Sequence, residues 1–111
     1  MTTAIEIDAG IVTELVRRIV DVVDPTKIIL FGSHARNEAR PDSDLDFLVV
    51  HESSQPRYAR SAPIYTALAD IPIEVDVMVY TPAEVEEWRE VPQAFVTTAI
   101  REGRVLYERA E

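Results

Sequence analysis

The chain has 111 residues, no cysteine, and 20 acidic against 11 basic residues, for a formal net charge of −9. The length suits one domain over residues 1–111, and the lack of cysteine excludes disulfides, thiolate metal sites and cysteine nucleophiles. The negative charge disfavours direct binding to nucleic acid, because phosphate contacts need a basic surface, and it suits a basic protein partner. The first ten residues lack the basic start of a signal peptide and no apolar run is long enough to span a bilayer, so we expect a cytoplasmic protein without membrane contact.

The first half of the chain predicts one helix and two buried strands. Apolar residues recur at helical spacing after a candidate N-cap at Asp8, and Asp24-Pro25 ends this pattern because the residue before proline avoids the α region. Two continuous apolar runs then predict strands that are covered on both faces. The predicted elements are a helix from 11 to 23, a strand over 27–31, a turn at Gly32-Ser33, a short helix over 34–40 and a strand over 44–51.

The second half predicts a loop, further helices and an alternating strand. Thr81 and Glu84 have the spacing of a capping box, which predicts a helix start, and Gly103 predicts a helix end. The aromatic residues Trp88 and Phe95 are predicted to pack between the C-terminal helices and the sheet. The predicted elements are a loop over 51–60, a helix over 61–70, a strand over 73–80, a helix from 81 to 88, a helix over 91–102 and a short edge strand over 105–107.

Two carboxylates, Asp44 and Asp46, begin the second predicted strand. Residues i and i+2 of a strand point to the same side, so the pair projects from one face, with the two positions about 7 Å apart along the strand. Like charges at the start of an apolar strand repel each other and resist desolvation, and a divalent cation removes both costs. The pair therefore predicts a Mg²⁺ site, since Mg²⁺ is held by one or two carboxylates together with substrate phosphates. In isolation the same residues could form only a solvated acidic turn.

A phosphate site and a third carboxylate accompany this pair. Gly32-Ser33 lies between a buried strand and a predicted helix start, where glycine permits close backbone approach and the helix N-terminus favours an anion. Asp76 lies within the apolar alternating strand and needs a partner there, which a shared metal would supply. Glu74 lies on the same predicted face and is the alternative to Asp76.

The motif formed by these residues resembles that of the minimal nucleotidyltransferase (MNT) family, within the DNA polymerase beta-like nucleotidyltransferase superfamily. Its signature is Gly-Ser, ten residues, then Asp-x-Asp; here Gly32-Ser33 precedes Asp44-Leu45-Asp46 at that spacing, and Asp76 follows about thirty residues later. The likeness extends over nearly the whole chain, although Asn37 stands where many relatives have glycine. The resemblance implies an α/β (α+β) nucleotidyltransferase fold, with a small mixed β-sheet flanked by helices.

The resemblance also implies residue roles. Asp44, Asp46 and Asp76 would hold two Mg²⁺ ions, with Asp76 as the base. Gly32 and Ser33 would bind the phosphates of ATP. For Arg36, contact with substrate phosphate and a solvated helix position remain equal alternatives, and Tyr58 and Tyr65 are further candidates for lining the nucleotide site.

Short MNT proteins act as antitoxins, and the resemblance implies the same role here: transfer of AMP from ATP to a tyrosine of a HEPN-domain RNase toxin, within a homo- or hetero-oligomer. Two alternatives stay open at this point. One is a binding module that neutralises the partner by contact alone. The other is a small-molecule nucleotidyltransferase of the aminoglycoside-modifying type.

Overall fold

The computed structural model of the protein describes residues 9–32, 45–91 and 94–109, which build one sheet with helices on both faces. The helices are α1 (Ala9–Val23), α2 (Arg57–Arg60), α3 (Ala62–Leu68), α4 (Pro82–Trp88) and α5 (Phe95–Glu102). The strands are β1 (Lys27–Phe31), β2 (Leu45–Val50), β3 (Val75–Tyr80) and β4 (Arg104–Glu108).

The described strands follow the order β3–β2–β1–β4. β1 pairs antiparallel with both β2 and β4, whereas β2 pairs parallel with β3 through a connection that contains α2 and α3. The sheet is therefore mixed, which confirms the predicted fold class. The antiparallel pairing of β1 with β2 brings the end of β1 beside the start of β2, and the parallel pairing brings the start of β3 to the same end of the sheet.

One face of the sheet is covered by α1 and α3. The helical spacing of apolar residues in α1 buries Leu15 and Ile19, and α3 contributes Ile64 and Leu68. Alternate residues of every central strand point into this layer, including the fully buried Phe47. This layer is the larger part of the core and fixes the register of β1, β2 and β3.

The opposite face is covered by α4 and α5, but only in part. Ile29 and Leu48 of the central strands pack against Val96 and Ala99 of α5. On β3, by contrast, Met78 of this face remains 39% exposed. The outer strand therefore presents an open surface at Asp76 and Met78, whereas Tyr80 on the same side is buried.

Several predicted elements are confirmed and others are corrected. β1 has its predicted bounds, and α1 ends at Val23, where Asp24 takes a positive φ of 48° and donates its N–H to the Val20 carbonyl at 3.0 Å. The capping box of Thr81 and Glu84 is present.

The predicted loop over 51–60 was wrong in its second half, because residues 57–60 form α2. The last helix was predicted too early: Ala94 has extended backbone with ψ 140°, so α5 begins after it. The predicted helix over 34–40 and the Asp8 N-cap lie outside the described residues. In the described part of the chain, every helix is too short or too polar to cross a bilayer.

Candidate active site

Asp46 and Asp76 meet at one end of the sheet. Phe31, the last residue of β1, is the register partner of Asp46, and Asp46 is the register partner of Asp76. Register partners on neighbouring strands lie about 4.8 Å apart and share a face, so the two carboxylates project to the same side. Asp46 is half-buried and Asp76 is exposed, and both line an open cavity of about 380 Å³. We call this the carboxylate cavity.

Gly32 follows β1 directly and lies against the Asp46 side chain. Its φ of +77° falls in the left-handed region, which favours glycine. A Cβ atom at this position would overlap Asp46 Oδ2 and approach Asp46 Cγ to 3.3 Å. Position 32 therefore needs glycine because its backbone lies against the Asp46 carboxylate, and the predicted contact of Gly32 with phosphate stays a prediction.

Tyr65 forms the outer wall of the carboxylate cavity. It belongs to α3, which packs mainly on the other face, and its ring reaches the outer edge of β3. The Val77 N–H donates to Tyr65 Oη at 2.8 Å. Of the two tyrosines considered from the sequence, Tyr65 therefore lies at the site, whereas Tyr58 is 88% exposed and does not line the cavity.

The structure describes three of the six predicted site residues. Gly32, Asp46 and Asp76 come together, while Ser33, Arg36 and Asp44 lie outside the described residues. Asp46 and Asp76 offer carboxylate oxygens from adjacent strands, which are the ligands Mg²⁺ prefers. The residues present therefore fit a hard divalent cation.

A second cavity lies further along the same face of β3. The even-numbered residues Asp76, Met78 and Tyr80 follow one another along this face. Beyond Met78 there is a cavity of about 260 Å³ that we call the aromatic cavity, lined by Arg57, Tyr80, Trp88, Ala94 and Val96. No pattern in the sequence indicated this feature. Trp88 is predicted to pack between the helices and the sheet, but the residue is 37% exposed and lines the cavity.

Charged residues of α2 and α4 surround the aromatic cavity. Arg57 stacks on the Tyr80 ring with its guanidinium carbon 4.6 Å from the ring centre. Arg60, whose side chain is only 8% exposed, donates to both oxygens of Glu84 at 2.6 and 3.2 Å. This pairing lowers the pKa of Glu84, with help from the Thr81 N–H. Arg57 forms a longer ion pair with the same carboxylate, at 3.9 Å, while its guanidinium carbon lies over the Tyr80 ring.

Comparison with known proteins supports the interpretation of the fold. Solved structures that share it include a candidate nucleotidyltransferase from Sulfolobus solfataricus, with a TM-score of 0.65, 18% identity and coverage of 90% of this chain and 79% of that one. They also include a toxin–antitoxin structure with AMP-PNP, at a TM-score of 0.56 and 17% identity, covering 93% and 75% of the two chains. A mutant of the toxin–antitoxin pair MntA–HpeT aligns at 0.53 and 16% identity, covering 94% and 75%.

No curated protein sequence matches the chain. The nucleotidyltransferase domain family, however, matches residues 11–106, which include Gly32, Asp46 and Asp76. The match spans most of the chain and both cavities. The chain therefore belongs to the nucleotidyltransferase domain family.

Proposed function

We propose that this protein is a Mg²⁺-dependent nucleotidyltransferase that transfers AMP from ATP to a tyrosine hydroxyl of a HEPN-domain RNase toxin, and so acts as its antitoxin. The observation that carries the proposal is the register of Asp46 with Asp76 beside Gly32. Membership of the nucleotidyltransferase family supports the reaction class. The likeness in fold to a toxin–antitoxin structure with AMP-PNP, an ATP analogue, supports the choice of nucleotide and partner.

In this proposal the carboxylates bind metal and accept a proton. Asp44 and Asp46 would hold two Mg²⁺ ions, with Asp76 as a further ligand, and Gly32, Ser33 and Arg36 would contact the phosphates. The bound metal supplies charge neutralisation on the triphosphate. Asp76 accepts the proton of the tyrosine hydroxyl, whose oxygen forms a bond to the α-phosphorus. The bond from the α-phosphorus to the bridging oxygen breaks, and pyrophosphate leaves.

The choice of Asp76 over Glu74 rests on position. Asp76 lies within β3 and is the register partner of Asp46. Glu74 precedes β3, and its backbone carbonyl accepts a hydrogen bond from the Leu45 N–H at 3.1 Å. Glu74 also does not line the carboxylate cavity, so a substrate held there would contact Asp76 first.

The partner proposal draws on charge and on fold neighbours. A net charge of −9 favours docking on a basic protein, as expected for an enzyme that binds RNA. The MntA–HpeT pair that shares the fold was crystallised as a mutant in which a tyrosine is replaced by alanine. We propose that residues 1–111 act as one cytoplasmic domain that forms a hetero-oligomer with the toxin.

The proposal is tested by following the AMP moiety. The protein is incubated with Mg²⁺, α-labelled ATP and a candidate HEPN-domain RNase partner. We expect label on a toxin tyrosine, loss of RNase activity, and no label when Asp46→Asn replaces the wild type. Glu74→Gln is the matched control. It makes the same change of acid to amide two residues from Asp76, but Glu74 is not a register partner of β2.

Three outcomes would contradict the proposal. Inhibition of the RNase by Asp46→Asn without any label would favour neutralisation by contact alone. Label on an aminoglycoside in the absence of a partner protein would favour a small-molecule transferase. Equal loss of label in Glu74→Gln and Asp46→Asn would remove the special role of the register pair.

A further inference from the structure

The aromatic cavity has the composition of a site for a flat heteroaromatic group. Its walls combine the Trp88 ring with the Arg57 guanidinium stacked on Tyr80, and Ala94 and Val96 supply an apolar lining. Nucleobases bind proteins by stacking on aromatic rings and on arginine planes. We propose that this cavity holds the base of the nucleotide whose phosphates lie at Asp46 and Asp76. The inference rests on the proposed function, which it deepens by locating the base.

The path between the two cavities supports this assignment. Asp76, Met78 and Tyr80 lie on one face of one strand, so Asp76 and Tyr80 are about 13 Å apart along the backbone, from four residues at about 3.3 Å each. A nucleotide with its α-phosphorus at the carboxylates would extend along this face to place its base beside Tyr80. Met78 stands between the cavities and is 39% exposed, so the strand face leaves room for a ribose above it.

The size of the aromatic cavity also fits a base. Its volume of about 260 Å³ lies below the range of about 300–1,000 Å³ that is typical of pockets for whole drug-sized ligands. A base with its ribose outside needs only such a partial enclosure. The triphosphate would then occupy the separate carboxylate cavity, of about 380 Å³, at the Asp76 end of this face of β3.

The local charges leave the Arg57 face available for stacking. Glu84 is the nearby acid, and Arg60 engages both of its oxygens while the Thr81 N–H donates to one of them. Arg57 is half-exposed and lies over the Tyr80 ring, and its ion pair with Glu84 is long, at 3.9 Å. A base entering between Arg57 and Trp88 would therefore meet a cation whose ion-pair partner, Glu84, is bound more closely by Arg60.

The sequence offers a direct probe of this cavity, because Trp88 is the only tryptophan of the chain. The full chain is titrated with Mg-ATP and, separately, with Mg-tripolyphosphate at equal ionic strength, with correction for adenine absorbance. We expect Mg-ATP to quench Trp88 fluorescence and tripolyphosphate to leave it nearly unchanged. Equilibrium dialysis with labelled ATP measures binding independently of the fluorescence.

A pair of arginine variants sharpens the test. Arg57→Leu removes the stacked cation, and we expect it to weaken ATP binding about tenfold while tripolyphosphate binding is unchanged. Arg89→Leu is the matched control, since Arg89 has a similarly exposed side chain (62% against 51%) next to Trp88 in sequence but does not line the cavity. We expect this control to bind ATP as the wild type does.

The outcomes separate this inference from the proposed function. If ATP binds in dialysis but quenches no more than tripolyphosphate, the base lies elsewhere and the inference fails, while the proposed function stands. Quenching by the toxin but not by ATP would also overturn it, in favour of a docking surface. Base-dependent quenching without AMP transfer would support the base site and overturn the proposed function, and absence of ATP binding would overturn both.

Discussion

Replacement of Gly32 by alanine tests the proposed site at its closest contact. With φ at +77°, an alanine would be held in the left-handed region at a cost of about 1–2 kcal/mol. The new Cβ would also overlap Asp46 Oδ2, so the carboxylate must retreat by more than half an ångström before the contact becomes tolerable. A misplacement of about 1 Å at a reacting centre can cost about 100-fold in rate. We therefore expect Gly32→Ala to lower AMP transfer roughly 10- to 100-fold.

The assay compares transfer per folded molecule in Gly32→Ala and Gly103→Ala. Gly103 has a φ of −82°, but a Cβ there would lie 2.5 Å from the Ala99 carbonyl oxygen and 2.5 Å from Ile29 Cγ2. Gly103→Ala should therefore lower the free energy of unfolding while leaving the carboxylates in place. Wild-type transfer by folded Gly32→Ala, or an equal loss in both variants, would refute the reasoning.

Three further predictions concern the contacts that support β3 and α4. Arg60→Met should lower the free energy of unfolding by roughly 2–3 kcal/mol in guanidinium titrations, because Glu84 and the Val79 carbonyl lose a partly buried charged donor. Arg60 lowers the pKa of Glu84, so this stabilisation is complete above the ordinary glutamate pKa of about 4.3. It is lost as the pH falls through the lowered pKa. The difference in free energy of unfolding between wild type and variant should therefore shrink in acid. Thr81→Ala should cost about 1 kcal/mol in thermal unfolding through loss of the helix cap, and a cost near zero would contradict the capping role. Tyr65→Phe should cost about 1 kcal/mol, measured in the same way, because it removes the acceptor of a backbone N–H.

The elements that could be predicted from the sequence depend on local signals. The apolar run of β1 and the capping box of Thr81 each act within a few residues, and both are confirmed. The alternation of β3 also predicted its two faces, since Val77 and Val79 are buried while Asp76 and Met78 are exposed. These patterns are fixed by backbone geometry and do not require knowledge of the partner strands.

The arrangement of the site depends on contacts that are distant in sequence. That Asp76 pairs with Asp46 follows from the parallel register of β2 with β3, which alternation alone does not set. Trp88 was predicted to be covered because large aromatic residues usually pack inside, and its place in a cavity results from where α2 and α5 meet α4. The proposed roles of all six site residues remain predictions from the sequence motif: Gly32, Ser33, Arg36, Asp44, Asp46 and Asp76.

The polar groups along the outer edge of β3 bear on how another protein could dock there. In the described part of the chain β3 ends the sheet, and an open edge would invite a strand from another protein. Here the Val77 N–H donates to Tyr65 Oη, and the Val79 carbonyl accepts from Arg60 at 3.3 Å. Those hydrogen bonds occupy groups that an added strand would need. We therefore expect a partner protein to contact this part of the molecule through side chains and not by adding a strand to β3.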